Sequence, residues 1–238
     1  MTTTESQVPV GQLVAERPAA AAVLERAGID YCCSGKRTLA DACRDKGIDA
    51  QQLLAEIAAE EEQAKLRDQG QHVNWLDRSL TEMCDHIEQT HHVYLKSELP
   101  RLGELIEKVV AAHAERHPEL TEVRRTFAAL RAELEPHMMK EERVLFPAIR
   151  QLEQSRRAMA FPFGSIGNPI RVMMDEHDVA GDALKQLRTL TGDFAAPEDA
   201  CNSYRAMLDA FKNLESDLHQ HIHKENNILF PRALALEA

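Results

Sequence analysis

The sequence predicts an all-α protein, an antiparallel four-helix bundle with a small helical domain at its N-terminus. Composition is the first reason. Aromatics make up 5% of the 238 residues and Gly and Pro number 10 each, while Ala, Leu and Glu abound, which favours helix almost throughout. The second is an internal repeat. Phe127, Leu130, Leu134, His137, Lys140, Glu141, Leu145, Phe146 and Pro147 reappear 84 positions later as Phe211, Leu214, Leu218, His221, Lys224, Glu225, Leu229, Phe230 and Pro231. Repeated apolar residues at helical spacing imply a repeated amphipathic helix, and two related pairs of long helices pack most simply as a bundle.

In chain order, residues 1–68 form the small domain, which has its own echo. RPAAAAVLERAGID ends one helix at Gly28 and RTLADACRDKGID ends another at Gly47. Glycine is expected there because it takes the left-handed position after a last helical turn. A third helix over 50–66 has Leu53, Leu54 and Ile57 as its apolar stripe. Arg67-Asp68-Gln69-Gly70-Gln71 breaks the pattern and opens the second domain, residues 69–238. Its first long helix runs near 72–98, stops before Pro100 and continues over 101–115. The second covers 119–152, with a kink or break expected at Pro136. After the loop Phe161 to Pro169, the third spans about 169–192 and the fourth about 198–236. Phe146-Pro147 and Phe230-Pro231 mark further irregularities.

The repeat carries chemistry. His137 and Glu141, like His221 and Glu225, lie four apart and so stand over one another on one helix face, Cβ atoms roughly 5–6 Å apart. Each pair has a histidine upstream: His177 lies 44 residues before His221, and His92 lies 45 before His137. Ile170, Met173, Met174, Gly181 and Leu184 share the face of His177, and a polar ring buried in such a stripe must find a partner. His91 competes with His92, because it follows the stripe of Leu80, Cys84 and Ile87 better; spacing alone permits either. Four imidazoles and two bridging carboxylates give about four protein bonds to each of two ions and leave positions open, the donor type of reactive non-haem iron. Structural zinc more often takes cysteines and closes all four positions, although manganese and zinc also suit the donors. One His-x-x-x-Glu alone reads as a solvated surface pair; two inside matched apolar frames read as ligands. His72, His86, His113, His117, His219 and His223 are expected in solvent, with His113 the one able to approach the site. Glu133 and Glu176 read as exposed helix charges, with ligand orientation as the alternative.

The formal net charge of −11 disfavours duplex nucleic acid as a partner. No run of about 18 uncharged apolar residues exists to span a membrane. MTTTESQVPVGQLVAERP lacks a basic region followed by an apolar one, so the cytoplasm is the expected location. The five cysteines are odd in number and scattered, which does not describe a disulfide framework. Cys32 and Cys33 stand out. They lie in the turn Asp30-Tyr31-Cys32-Cys33-Ser34-Gly35-Lys36, where Lys36, Arg37 and a helix N-terminus are expected to favour thiolates. A redox or metal-handling pair and a plain turn fit these residues equally.

Asp30 to Leu39, His137-Met138-Met139-Lys140-Glu141 with Leu145-Phe146-Pro147, Glu176-His177-Asp178, and His221 to Glu225 followed by Asn226-Asn227-Ile228-Leu229-Phe230-Pro231-Arg232-Ala233 resemble the ScdA/YtfE family, which repairs iron centres. The likeness covers nearly the whole chain. It implies a hemerythrin-like bundle holding two non-haem iron ions, oxo- or hydroxo-bridged, on His92, His137, His177 and His221, with Glu141 and Glu225 as bridging carboxylates. The family's spacing to Glu98-Leu99-Pro100 selects His92 over His91. It further implies a cytoplasmic protein that restores iron–sulfur clusters damaged by nitric oxide or oxidants, by binding nitric oxide or by supplying iron. Its partners would be the damaged iron–sulfur proteins, and nitric oxide or oxygen as small ligands; Cys32 and Cys33 are candidates for redox work or for contact with the client. A gas-binding carrier or sensor and a di-iron nitric oxide reductase are the alternatives. One residue departs: Ser34 stands where the family usually has Gly, and would be strained if that position needs a positive φ.

Overall fold

The computed structural model describes residues 5–68, 73–155 and 160–237. The interval expected to separate the two domains falls largely on 69–72, outside the described residues. Helix dominates, and no strand occurs among the described residues. Four rods make the bundle. The first joins α5 (Leu80–Ile87) to α6 (Val93–His113), the second joins α7 (Glu119–Lys140) to α8 (Phe146–Gln154), the third is α9 (Gly167–Leu190), and the fourth joins α10 (Asn202–Lys224) to α11 (Phe230–Glu237). The first rod begins at a capping box, with Ser79 Oγ accepting from the Glu82 N–H and Glu82 accepting from the Ser79 N–H. Glu153 of the second rod accepts from the next two free N–H groups, those of Leu80 and Thr81.

Three of the rods contain a single π-helical turn: Glu88–His92, Glu141–Leu145 and Glu225–Leu229. A π turn inserts one residue into an α-helix and so rotates everything after it. The last two turns end directly before Phe146-Pro147 and Phe230-Pro231, the irregular points expected from sequence; proline at the start of the resumed helix has no N–H to leave unpaired. Pro100 and Pro136 behave otherwise. The expected stop before Pro100 and break at Pro136 do not occur, and α6 and α7 run through both residues.

Two apolar layers fill the bundle. One contains Leu95, Leu99, Leu134, Met138, Ala180, Leu184, Leu214 and Leu218. The other contains Met83, Ile87, Leu145, Ile149, Ile170, Met173, Ile228 and Leu229. The first and third rods pass from the second layer to the first, and the second and fourth pass the opposite way, as antiparallel neighbours must. In every rod the crossing between layers falls where the sequence places a histidine.

The N-terminal unit comprises α1 (Val10–Glu16), α2 (Ala20–Arg26), α3 (Leu39–Lys46) and α4 (Ala50–Asp68). The short α1 has no counterpart in the sequence reading. Gly28 and Gly47 take left-handed conformations, φ +65° and +67°, and Leu53, Leu54 and Ile57 are buried as the stripe requires. Ile222 of α10 joins this unit's apolar cluster, so the unit packs on the fourth rod. Ser34 is not strained, because the positive-φ residues other than glycine are Asp193 and Phe194 among those described. The constraint lies one residue on: a Cβ at Gly35 would collide with the Asn227 side chain and the Tyr31 carbonyl. Gly35→Ala should therefore cost about 1–3 kcal/mol in denaturant unfolding, with faster thiol labelling of Cys33; an unchanged midpoint would show that Asn227 simply swings aside.

Candidate metal centre

The layer between the two apolar clusters holds six polar side chains with almost no solvent contact. Glu141, Glu225 and His92 are fully buried, and His137, His177 and His221 are 1–2% exposed. Each carboxylate divides its oxygens between two histidine pairs. Glu141 places Oε2 3.3 Å from His92 Nε2 and Oε1 3.3 Å from His137 Nε2. Glu225 places Oε1 3.1 Å from His221 Nε2 and Oε2 3.1 Å from His177 Nε2. His137 Nε2 and His177 Nε2 are 3.1 Å apart. Two clusters result, His92/Glu141/His221/Glu225 and His137/Glu141/His177/Glu225, with both glutamates in both.

These donors fit cations. Three of the four imidazoles donate from Nδ1: His92 to Glu142 at 2.8 Å, His137 to Glu176 at 2.8 Å and His177 to Asn226 at 2.9 Å. A neutral ring that donates from Nδ1 turns a lone pair outward from Nε2, and here that lone pair faces a carboxylate. Such an arrangement is repulsive unless a proton or a cation lies between. His92 Nε2, both Glu141 oxygens and Glu225 Oε2 are buried without a hydrogen-bond partner among the described residues. Metal bonds of about 2.1 Å at 90–110° place neighbouring donor atoms about 3.0–3.4 Å apart, the spacing found.

The electrostatics agree. Burial acts to raise the Glu141 carboxyl, but the His137 and His92 imidazoles hold it well below the ordinary carboxylate range. Burial and the Glu141 charge act to raise Glu225, and His221 and His177 keep it low. Burial would lower His137; the Glu141 charge and hydrogen bond overcome it and push the ring up to about 9. Protonated imidazoles thus serve the carboxylates as cations would.

The sequence ambiguity at His91 and His92 resolves at the first π turn. An unbroken α-helix places His91 over Ile87, but the extra residue advances the inward position to His92. His91 is buried beside it, stacked parallel on His221 with ring centroids 5.2 Å apart. It donates to Asp217 at 2.8 Å and accepts from Lys224 at 2.7 Å. The halves therefore differ. In one, Lys140 pairs with Glu176, which anchors His137. In the other, the equivalent lysine meets an imidazole, and His221 Nδ1 has no partner among the described residues.

Glu142 and Asn226 were not singled out from the sequence, although they stand 84 apart, each directly after a shared glutamate; carrying the repeat one residue further would have found them. Glu176 takes the orienting alternative and Glu133 is exposed. Several histidines expected in solvent are not there. His223 is buried against Tyr31 and Asn227, and burial pushes it down to about 4. His86 packs on Trp75 and is likewise pushed down to about 4, by burial and then by the Lys224 charge. His117 and His219 are half-buried. His113 is buried but bonds Cys201, at the end of α10 remote from the six donors. His72 lies outside the described residues.

The cysteine turn abuts this layer. Cys33 Sγ lies 3.6 Å from the His177 carbonyl, and the Asn226 and Asn227 amides donate to the Cys32 carbonyl at 3.4 and 3.1 Å. The expected thiolate stabilisation fails at Cys32. Its hydrogen bond with Cys33, burial and the Asp30 charge push it well up, while Arg37 pairs with Asp45 instead. Asp30 stays anionic against burial because the backbone N–H groups of Cys33 and Ser34 and the Cys32 thiol donate to it.

A helical bundle with imidazoles and carboxylates converging in a dry layer defines a cation-binding protein. Residues 85–233 match the family described as the hemerythrin HHE cation binding domain, and residues 6–61 match the ScdA N-terminal domain, a domain of unknown function. The chain is 38% identical over 229 residues to the iron–sulfur cluster repair protein YtfE of Escherichia coli O157:H7, and equally to that of Shigella boydii serotype 4, covering 96% of this chain and 97% of each relative. The chain belongs to the hemerythrin-type family that these repair proteins represent.

Two outcomes follow from the geometry. Glu176→Ala, which frees His137 Nδ1, should weaken metal binding about 10–100-fold, measured by competition with a chelator; unchanged affinity would mean packing alone orients the ring. The metal-free protein should also lose thermal stability between pH 6.5 and 8. His137 is raised from 6.5 to about 9, so its contribution is complete below 6.5 and is lost as pH rises toward 9. Lys224, lowered to about 8, acts in the opposite sense only above that value. Metal-loaded protein should lack the decline, since cations replace the protons.

Proposed function

We propose that this protein repairs iron–sulfur clusters damaged by nitric oxide or oxidants, acting in the cytoplasm with two non-haem iron ions. His92 and His221 would hold one ion and His137 and His177 the other, with Glu141 and Glu225 shared between the two. The observation that carries this reading is the division of each glutamate's oxygens between two histidine pairs. When bound, the ions supply open positions for nitric oxide or oxygen, and iron is also the cargo offered to a damaged cluster. The name of the relatives supports the biological role. Five free cysteines suit a reducing compartment, and no helix among the described residues is long and apolar enough to cross a membrane.

The chain's own part is positional. Glu142, Glu176 and Asn226 fix three rings so that Nε2 faces inward, and the apolar layers above and below exclude water. A client cluster cannot touch six buried side chains directly. The cysteine turn, in contact with His177 and partly exposed at Cys33, is the part of the site that a client reaches first.

The decisive experiment measures iron per chain, optical and magnetic spectra before and after nitric oxide, and recovery of a nitric-oxide-damaged iron–sulfur enzyme. Wild-type protein should hold two irons and restore the enzyme, whereas Glu141→Ala and Glu225→Ala should lose iron and restore little. Recovery by iron-depleted variants would rule out iron donation.

A further inference from the structure

At the end of α10 remote from the metal layer, a thiol and an imidazole form a second chemical pair. Cys201 is exposed, and its Sγ lies 3.1 Å from His113 Nε2. The two come from different rods, α6 and the start of α10. Cys201 occupies the N-cap position of a 23-residue helix, yet its side chain makes no capping bond, so the sulfur does no work for the helix. His113 is only 6% exposed, and its Nδ1 is buried with no partner among the described residues. A buried unsatisfied ring nitrogen destabilises the fold, so this is a poor way to stabilise a corner. The ring's one hydrogen bond among the described residues goes to the exposed thiol.

We propose that Cys201 is a thiol-modification site, with His113 as its base, that takes the disulfide of a small cellular thiol. Cys201 sulfur attacks one sulfur of the small disulfide while His113 Nε2 accepts the thiol proton. The new bond joins Cys201 to that sulfur, the original S–S bond breaks, and the departing thiolate takes the proton back from His113. Cys201–SH and RS–SR become Cys201–S–SR and RSH, with no other oxidant needed. The surroundings leave the reaction room. His117 and Arg116 are engaged with Asp199, the Tyr204 ring packs against His113 with centroids 5.4 Å apart, and Cys201 itself is exposed. The Cys201 side chain does not cap the first turn of α10, and the N–H groups of that turn suit a carboxylate on the incoming disulfide. The other cysteines are less available: Cys32, Cys43 and Cys84 are buried and Cys33 is half-buried.

The test uses full-length, iron-loaded protein with oxidised glutathione as the probe, following adduct formation by peptide mass. Cys201 should be modified first, and faster than a free small thiol under the same conditions. His113→Gln should slow it about tenfold or more, as loss of a positioned base does, without slowing Cys33. Iron content should not change, because Cys201 lies about 30 Å along α10 from His221 at 1.5 Å per residue. Equal Cys201 rates in wild type and His113→Gln, a first adduct on Cys33, or a wild-type rate no greater than that of the free thiol would each overturn the assignment. The wild-type comparison stands even if the variant misfolds, since unfolding raises the rates of both cysteines together.

Discussion

Two carboxylates in a place without water are the constraint around which this protein is organised. Glu141 and Glu225 are fully buried, and an ion taken out of water carries a penalty of several kcal/mol even after relaxation. Nothing apolar can offset that; only positive charge on both oxygens of both residues does. The four histidines provide the means, as cations themselves when protonated or as co-ligands of metal ions when neutral. The bundle brings one imidazole to these oxygens from each of the four rods, and the apolar layers on either side keep the local dielectric low enough for the attraction to a proton or cation held there to count.

The π turns are where backbone geometry meets that demand. Three of the six ligand-type residues, His92, Glu141 and Glu225, lie within them. At the second and fourth rods the π turn begins at the Glu of the His-x-x-x-Glu pair, whose N–H still bonds the His carbonyl four residues back, so the pair keeps its α-helical overlap while the chain beyond is rotated to place Phe146 and Phe230 in the apolar layer below. Phe230 lies stacked on His177 and Phe146 on His92, with centroids 6.0 and 5.8 Å apart. The displaced register thus packs an aromatic face against an imidazole in each half.

This also explains which features were legible in the sequence. The 84-residue repeat exposed His137, Glu141, His221 and Glu225 because ligand and frame were duplicated together, and His177 followed from its apolar face. His92 was ambiguous for a physical reason: amphipathic spacing assumes 3.6 residues per turn, and a π turn breaks that assumption at the residue in question. Pro100 and Pro136 suggest breaks that do not occur, because a rod packed on its neighbours retains its path despite one missing hydrogen bond. Burial of His113 and His223 was hidden because it depends on Cys201 and on Tyr31, residues distant in sequence that only the fold brings near.

The N-terminal unit is joined to the same constraint by a short chain of hydrogen bonds. The Cys32 carbonyl accepts from the Asn226 amide, whose oxygen accepts from His177 Nδ1. An asparagine side chain has a fixed order of donor and acceptor ends, so a donor held by the turn leaves an acceptor for the imidazole, and His177 Nε2 is left free to face Glu225. The turn in turn depends on Asp30, which gathers the N–H groups of Cys32, Cys33 and Ser34. The hydrogen bond with Cys33 and burial raise the Cys32 thiol first, and the same anion adds to them. The cysteine turn is therefore part of the support of one imidazole, with Cys32 buried and Cys33 half-buried, and it is linked to His177 through Asn226.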